Sequence, residues 1–148
     1  MFYTEPRLSL NIIQHLDRHH KHYEYAKSIV SQYKEGHVLE GQVAYLTDNS
    51  NRDIIAYMVY NIISRDYAHH LFKQEGVDLI LPPQYQRLFY LDTLDVSAPF
   101  QRRGIGEDFF IYATNFNLPI LLQSTEDSEM YWYDHGFKLM DYSWMIRG

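Results

Sequence analysis

The sequence predicts a mixed α/β domain built on a single sheet, and three observations carry that prediction. Apolar residues recur at helical spacing from Leu8 to Tyr33. Runs rich in Val, Ile and Tyr then follow with the composition of strands. From Arg87 onward the chain alternates strand, helix, strand, helix, strand, the order expected of helices packed on one sheet.

The elements follow in chain order. Leu8, Ile12, Ile13, Leu16, Tyr23, Ala26, Ile29, Val30 and Tyr33 predict one or two helices closed by Gly36. On such a helix His15 and His19 share a face and form a candidate metal pair, but no H-E-x-x-H pattern accompanies them, so a solvated helix face is the preferred reading and no metal site is expected. Gln42 to Thr47 and Ile54 to Ser64 read as two strands, joined into an antiparallel hairpin by Asp48-Asn49-Ser50-Asn51, residue types that tolerate turn geometry. Tyr67 to Gln84 holds a short helix-like piece, Gly76, the apolar Leu79-Ile80-Leu81 and the Pro82-Pro83 breaker, a connection suited to lining a substrate pocket. Arg87 to Val96 alternates strongly, with Leu88, Tyr90, Asp92, Leu94 and Val96 on one face. Pro99 biases its predecessor away from helix, so Ser97 to Phe100 is an irregular turn. A helix carrying Ile105, Phe109, Ala113 and Phe116 on one side follows and ends at Asn117 and Pro119. Pro119 to Gln123 is a buried strand; Ser124 and Asp127 have capping-box spacing for a helix through Glu129 to His135, stopped by Gly136; Phe137 to Met145 reads as the last strand.

Composition narrows the function. A chain of 148 residues suits one domain burying roughly two thirds of its unfolded surface, with no internal repeat or low-complexity linker. It has no cysteine, which excludes disulfides, thiolate metal sites and cysteine nucleophiles. Met1 to Arg7 lacks the basic start and apolar run of a signal peptide, and no stretch reaches the ~18 apolar residues of a membrane span, so a cytoplasmic protein with no membrane partner is expected. The net charge of -6 argues against binding a nucleic-acid backbone and mildly favours a cationic substrate such as an amine. The 14 Tyr and 8 Phe supply a Tyr-rich core and enough surface aromatics to allow a homodimer.

The most informative stretch is Gln101-Arg102-Arg103-Gly104-Ile105-Gly106, which opens a helix directly after a strand. The first turn of a helix leaves backbone N–H groups without intrahelical partners and carries partial positive charge, a setting that suits phosphate. Gly104 and Gly106 let a diphosphate approach the backbone, and Arg102 and Arg103 add charge beside it. A P-loop needs Gly-Lys followed by Ser or Thr, absent here, and a dinucleotide fingerprint needs a small residue where Phe109 stands. A glycine-softened turn with exposed arginines is the bland reading of a lone Gly-x-Gly.

The run Leu94-Asp95-Val96, Pro99-Phe100, Gln101 to Gly106 resembles the acetyl-CoA segment of the GNAT acyltransferases, a hydrophobic strand and turn followed by Gln/Arg-x-x-Gly-x-Gly/Ala, with Pro99 one residue later than usual. Trp132-Tyr133-Asp134-His135-Gly136-Phe137 is similar to that family's second signature, an aromatic-rich helix ending in Gly-Phe. The resemblance covers Leu88 to Lys138 well and the N-terminal half only in its order of elements. It implies a mixed, mostly antiparallel central sheet flanked by helices, with a splayed strand pair at the coenzyme site.

It also implies a function: an N-acetyltransferase that uses acetyl-CoA as cosubstrate and passes the acetyl group to an amine by direct attack. Leu94, Asp95 and Val96 would bond the pantetheine arm through their main chain, like an added strand. The diphosphate would rest on the N–H groups of Arg102, Arg103, Gly104, Ile105, Gly106 and Glu107, flanked by Gln101. Asp92 stands near where some members carry a carboxylate and is the candidate general base, with binding of a cationic substrate or pairing with Arg87 as equal alternatives. The family's usual proton donor, a Tyr before Gly-Phe, aligns with Trp132, which cannot serve as that acid. Tyr133, and after it Tyr131, are the candidate acids through a one-residue shift, each with core packing as its alternative; failing both, the thiolate leaves with only water or backbone help. The Asn that the family commonly carries after the next strand is replaced near Thr125. A non-catalytic acyl-CoA-binding module on the same fold is the second reading, and an unrelated phosphate-binding α/β protein the third.

Overall fold

A computed structural model describes residues 14–15, 42–47, 54–96, 98–102 and 104–148. The chain forms two compact units, one of Met1–Tyr60 with Thr93–Tyr112, the other of Asn61–Asp92 with Ala113–Gly148. Two long strands, β3 (Ile54–Ser64) and β4 (Arg87–Val96), contribute residues to both.

In the first unit β1 (Gln14–His15) pairs antiparallel with β2 (Gln42–Thr47), through Gln14↔Tyr45 and His15↔Ala44. Next, β2 pairs antiparallel with β3, from Gln42↔Tyr60 to Thr47↔Ile54, with a bulge between Leu46 and Thr47. The run Ile55-Ala56-Tyr57-Met58-Val59-Tyr60 is buried on both faces, which is why its sequence is a continuous apolar and aromatic run rather than an alternating one. Helix α2 (Ile105–Thr114) buries Ile105, Phe109 and Phe110, and the Tyr60 and Tyr112 hydroxyls share a hydrogen bond of 2.9 Å. Burial and that bond push the Tyr60 phenol well above its usual range.

In the second unit the end of β3 leads into helix α1 (Arg65–Gln74), whose Ser64 cap accepts the Tyr67 N–H at 3.1 Å. The strands follow the order β3, β4, β5 (Ile120–Gln123), β7 (Trp144–Arg147), β6 (Lys138–Asp141). The β4–β5 pair is parallel and its ladder covers Phe89↔Ile120 to Leu91↔Leu122; β5–β7 and β6–β7 are antiparallel. Helix α1 covers one face, setting Phe72 edge-on to Trp144 at 4.9 Å over Leu88, Leu121 and Ile146. The connection after α1 is fastened at Leu81, whose carbonyl accepts Arg65 Nε (2.9 Å) and Nη2 (2.6 Å) and whose N–H is accepted by His69 Nε2 (2.9 Å). Helix α3 (Glu129–Asp134) completes the unit.

The antiparallel pairing of β2 and β3, the long β4 strand, the helix opening at Ile105 and the strand at β5 match the sequence reading, while the predicted turn at Asp48 to Asn51 lies outside the described residues. Four details differ. Gln14–His15 is strand where helical spacing predicts helix, because the β2 edge offers it a ladder and tertiary pairing overrides local spacing; the rest of the Leu8 to Tyr33 segment, with the pairing of His15 and His19, lies outside the described residues. The predicted last strand is two, because Tyr142 adopts a left-handed φ of 53° and turns the chain between β6 and β7. The capping box sits at Thr125 and Ser128, one residue later than predicted, while Ser124 is buried and donates to the Ser143 carbonyl at 3.2 Å. The helix-like piece after β3 begins at Arg65, two residues earlier than read, because Ser64 supplies the cap.

Phe72 is fully buried against Trp144. Phe72→Ala therefore lowers stability by about 3–5 kcal/mol, read from denaturant midpoints at unchanged slope; a loss below about 1 kcal/mol would contradict this packing.

Candidate functional site

The predicted coenzyme segment lies in the first unit. After Val96 a 3-10 turn, Ala98–Phe100, precedes Gln101 and Arg102, and α2 starts at Ile105. Arg102 and Gly104 both adopt left-handed backbones, φ 63° and 80°. Glycine takes that conformation without penalty, whereas for Arg102 it costs about 1 kcal/mol, strain of a kind that gathers at ligand-binding turns. The Gly104 carbonyl accepts the Asp108 N–H at 3.2 Å, the first bond of the helix, so Gly104 is the N-cap and the amides of Ile105 and Gly106 open α2. Gln101, Arg102, Gly104 and Glu107 are exposed, while the Ile105 side chain is buried and roots the turn. An exposed helix start with a left-handed glycine cap and an arginine beside it is chemically an anion seat. Arg103 lies outside the described residues.

The strand end beside this turn is internally bonded. Gln101 Nε2 donates to the Val96 carbonyl at 2.9 Å, and the Gln101 N–H donates to the Ala98 carbonyl at 3.2 Å. The Asp95 carboxylate accepts the Val96 N–H, while partial burial pushes its pKa above the ordinary 3.8. The Val96 carbonyl is therefore engaged within the protein. One residue back, the Thr93 hydroxyl is buried with no partner among the described residues.

The candidate catalytic residues lie in the second unit. Asp92 is half-buried on β4, two residues from Tyr90 and on its face. Burial first, then the negative charges of Asp92 and Glu75 and the neighbouring Tyr67, hold the Tyr90 phenol well above its usual range. On α3, Tyr131 stacks on His135 with ring centroids 4.1 Å apart, and His135 Nδ1 donates to the Tyr131 carbonyl at 2.7 Å. Tyr133 is 39% exposed; partial burial and its hydrogen bond to Glu129 raise the phenol's pKa.

The Gly-Phe signature resolves into a helix stop. Gly136 has φ 87°; its N–H donates to Tyr133, and the Phe137 N–H donates to Trp132, the paired bonds of a Schellman cap. Trp132 is 7% exposed and packs edge-on against Phe137 at 5.3 Å, the apolar contact that accompanies such a cap. That contact gives a physical reason for an indole at the position where the resemblance expects a Tyr. Arg147 Nε donates to the His135 carbonyl at 3.0 Å, adding a cation at the helix C-terminus. The helix stop at Gly136 is legible in the sequence, whereas the Gln101 tether has no signal in residue spacing alone. Among the described residues no three His, Asp or Glu side chains are placed to hold a metal ion, and no described helix is long and apolar enough to cross a membrane.

No protein-family model matches the chain. An uncharacterised N-acetyltransferase of Staphylococcus aureus is 31% identical over 67 residues, covering 45% of this chain and 46% of that protein, so the chain spans about half the length of the curated relatives it matches. The crystal structure of the Bacillus subtilis N-acetyltransferase YlbP in complex with coenzyme A superposes with a TM-score of 0.57 at 18% identity, covering 72% of this chain and 66% of that one. Arabidopsis thaliana Naa50 in complex with the bisubstrate analogue CoA-Ac-MVNAL superposes with a TM-score of 0.61 at 12% identity, covering 95% of this chain and 97% of that one. The fold is that of the GNAT acetyltransferases.

The raised pKa of Asp95 has a definite sign. The folded state holds the proton more tightly than the unfolded chain, so the ionised carboxylate weakens the fold above the folded pKa, and stability is gained as pH falls through that value toward 3.8. Asp95→Asn, whose amide oxygen still accepts the Val96 N–H, therefore raises Tm at pH 7 by up to about 3 °C and flattens that acid gain, measured by thermal melts from pH 7 to 4. A lower Tm for the variant at pH 7 would contradict it.

Proposed function

We propose that this protein is an N-acetyltransferase that takes the acetyl group from acetyl-CoA and passes it to a primary amine of a small molecule or peptide by direct attack. The observation that carries the reading is the left-handed Gly104 cap, which opens α2 on the exposed turn that follows the β4 strand. The diphosphate rests on the amides from Arg102 through Glu107, with Arg102 and Arg103 supplying charge. The pantetheine arm lies along the main chain of Leu94 and Asp95 as far as Val96, in the manner of an added strand. The CoA complex of YlbP and the CoA-based bisubstrate complex of Naa50 support this choice of cosubstrate.

The unprotonated amine nitrogen bonds to the thioester carbonyl carbon and the carbon–sulfur bond breaks. The amine loses a proton to Asp92, directly or through water, and the departing thiolate takes one from Tyr133 or Tyr131. Asp92 suits the role of base because it is half-buried beside the neutral Tyr90 phenol. Tyr133 gives up its proton only on leaving Glu129, whereas Tyr131 is oriented by its stack on His135. The net negative charge supports a cationic acceptor, and the supply of aromatic residues supports a homodimer.

One observation favours a second reading, a non-catalytic acyl-CoA-binding module: Trp132 is buried in the cap contact at the position of the usual acid, and Tyr133 is held by Glu129. Free-thiol release from acetyl-CoA across a panel of primary amines separates the two. Turnover on at least one amine, lowered about 10²-fold or more in kcat by Asp92→Asn, is the expected result. Tight binding of CoA with no thiol released on any amine points to the module instead. Tyr131→Phe and Tyr133→Phe identify the acid, since only the true donor lowers kcat at unchanged KM.

A further inference from the structure

We propose that Gln101 is a positioning residue, not a ligand of the coenzyme: its carboxamide ties the helix-opening turn to the last residue of β4 and so holds the Gly104 cap in shape. The inference rests on the coenzyme reading above, but its geometry does not.

A glutamine at the mouth of an anion seat has two sets of donors to offer a phosphate, its main-chain N–H and its side-chain amide. The main-chain N–H and one hydrogen of the side-chain amide are bonded within the protein. The N–H is spent on the Ala98 carbonyl at 3.2 Å, closing the 3-10 turn, and Nε2 donates to the Val96 carbonyl at 2.9 Å. Gln101 thus ties the turn back at two points, to the strand end at Val96 through its side chain and to Ala98 through its main chain.

Such a tether has a task here. Two left-handed residues, Arg102 and Gly104, follow within three positions, and the turn is exposed. An exposed turn with a strained non-glycine residue samples other conformations unless both its ends are fixed. Ile105 fixes the far end by burying its side chain, and the Gln101 tether fixes the near one. The helix-opening amides are then pre-aligned before any anion arrives, which removes ordering cost from binding. A long side chain with a terminal N–H donor meets the same requirement, so arginine at 101 preserves the tether where alanine or glutamate does not; glutamate presents only acceptors to the Val96 carbonyl.

The test uses the full-length protein and two readouts. Amide hydrogen exchange of the ligand-free protein, resolved by residue, is compared for wild type, Gln101→Ala and Gln101→Arg, with CoA affinity measured by calorimetry on the same samples. The tether predicts faster exchange in Gln101→Ala from Val96 to Gly106 without CoA, at unchanged protection in β2 and β5, together with a CoA Kd raised about five- to tenfold. Gln101→Arg restores both to near wild type. Weakened CoA binding in Gln101→Ala with ligand-free exchange unaltered would make Gln101 a direct ligand and overturn the proposal, as would unaltered exchange and affinity together. If wild-type protein takes up no CoA at all, the acetyltransferase reading fails, and the ligand-free exchange alone still decides whether Gln101 holds the turn.

Discussion

The left-handed peptide at Gly104 sets the direction in which α2 leaves the turn after β4, and with it where the amides of the first helical turn point. A side chain at that position meets a conformational penalty, so the glycine is there for its backbone, whatever else approaches it. Around this constraint the first unit is built outward. Ile105 anchors the helix, Gln101 fastens the turn, and Phe109 and Phe110 bury the face that the cap has aimed inward.

The second unit answers a different demand. The β4–β5 ladder is short, three residue pairs from Phe89↔Ile120 to Leu91↔Leu122, while β4 itself continues to Val96. A parallel pair cannot close with a tight hairpin, so the chain between these strands must cross over through a helix, and that helix is α2. The parallel pairing and the anion seat are therefore one structural decision. The strong packing of Phe72, Trp144 and Leu121 under α1 holds the start of β4, while its last residue, Val96, is tied to Gln101.

How much of this is legible in residues alone depends on the range of the forces involved. The β4 strand and α2 announce themselves because alternation and helical spacing are local, and the Gly-x-Gly turn because only glycine relieves a left-handed backbone. The two-residue β1 strand has no local signature; it exists because the β2 edge is present to pair with it. Tyr142 breaks the last strand by taking a conformation that a tyrosine rarely adopts, which no spacing rule anticipates. Trp132 is instructive in another way. Read by alignment it is a missing acid, whereas its contact with Phe137 makes it the apolar partner of a Schellman cap. The Gln101 tether, likewise, depends on where the Val96 carbonyl points, which composition does not encode.

The central claim is that the amides opening α2 hold the diphosphate of coenzyme A. Calorimetric titration of CoA into wild-type protein and into a Gly104→Val, Gly106→Val double variant tests it most directly. The account predicts saturable binding at one site per chain in the wild type and its loss in the variant, with the variant still folded by circular dichroism. No heat of binding to wild type, or equal affinity for both proteins, would contradict it.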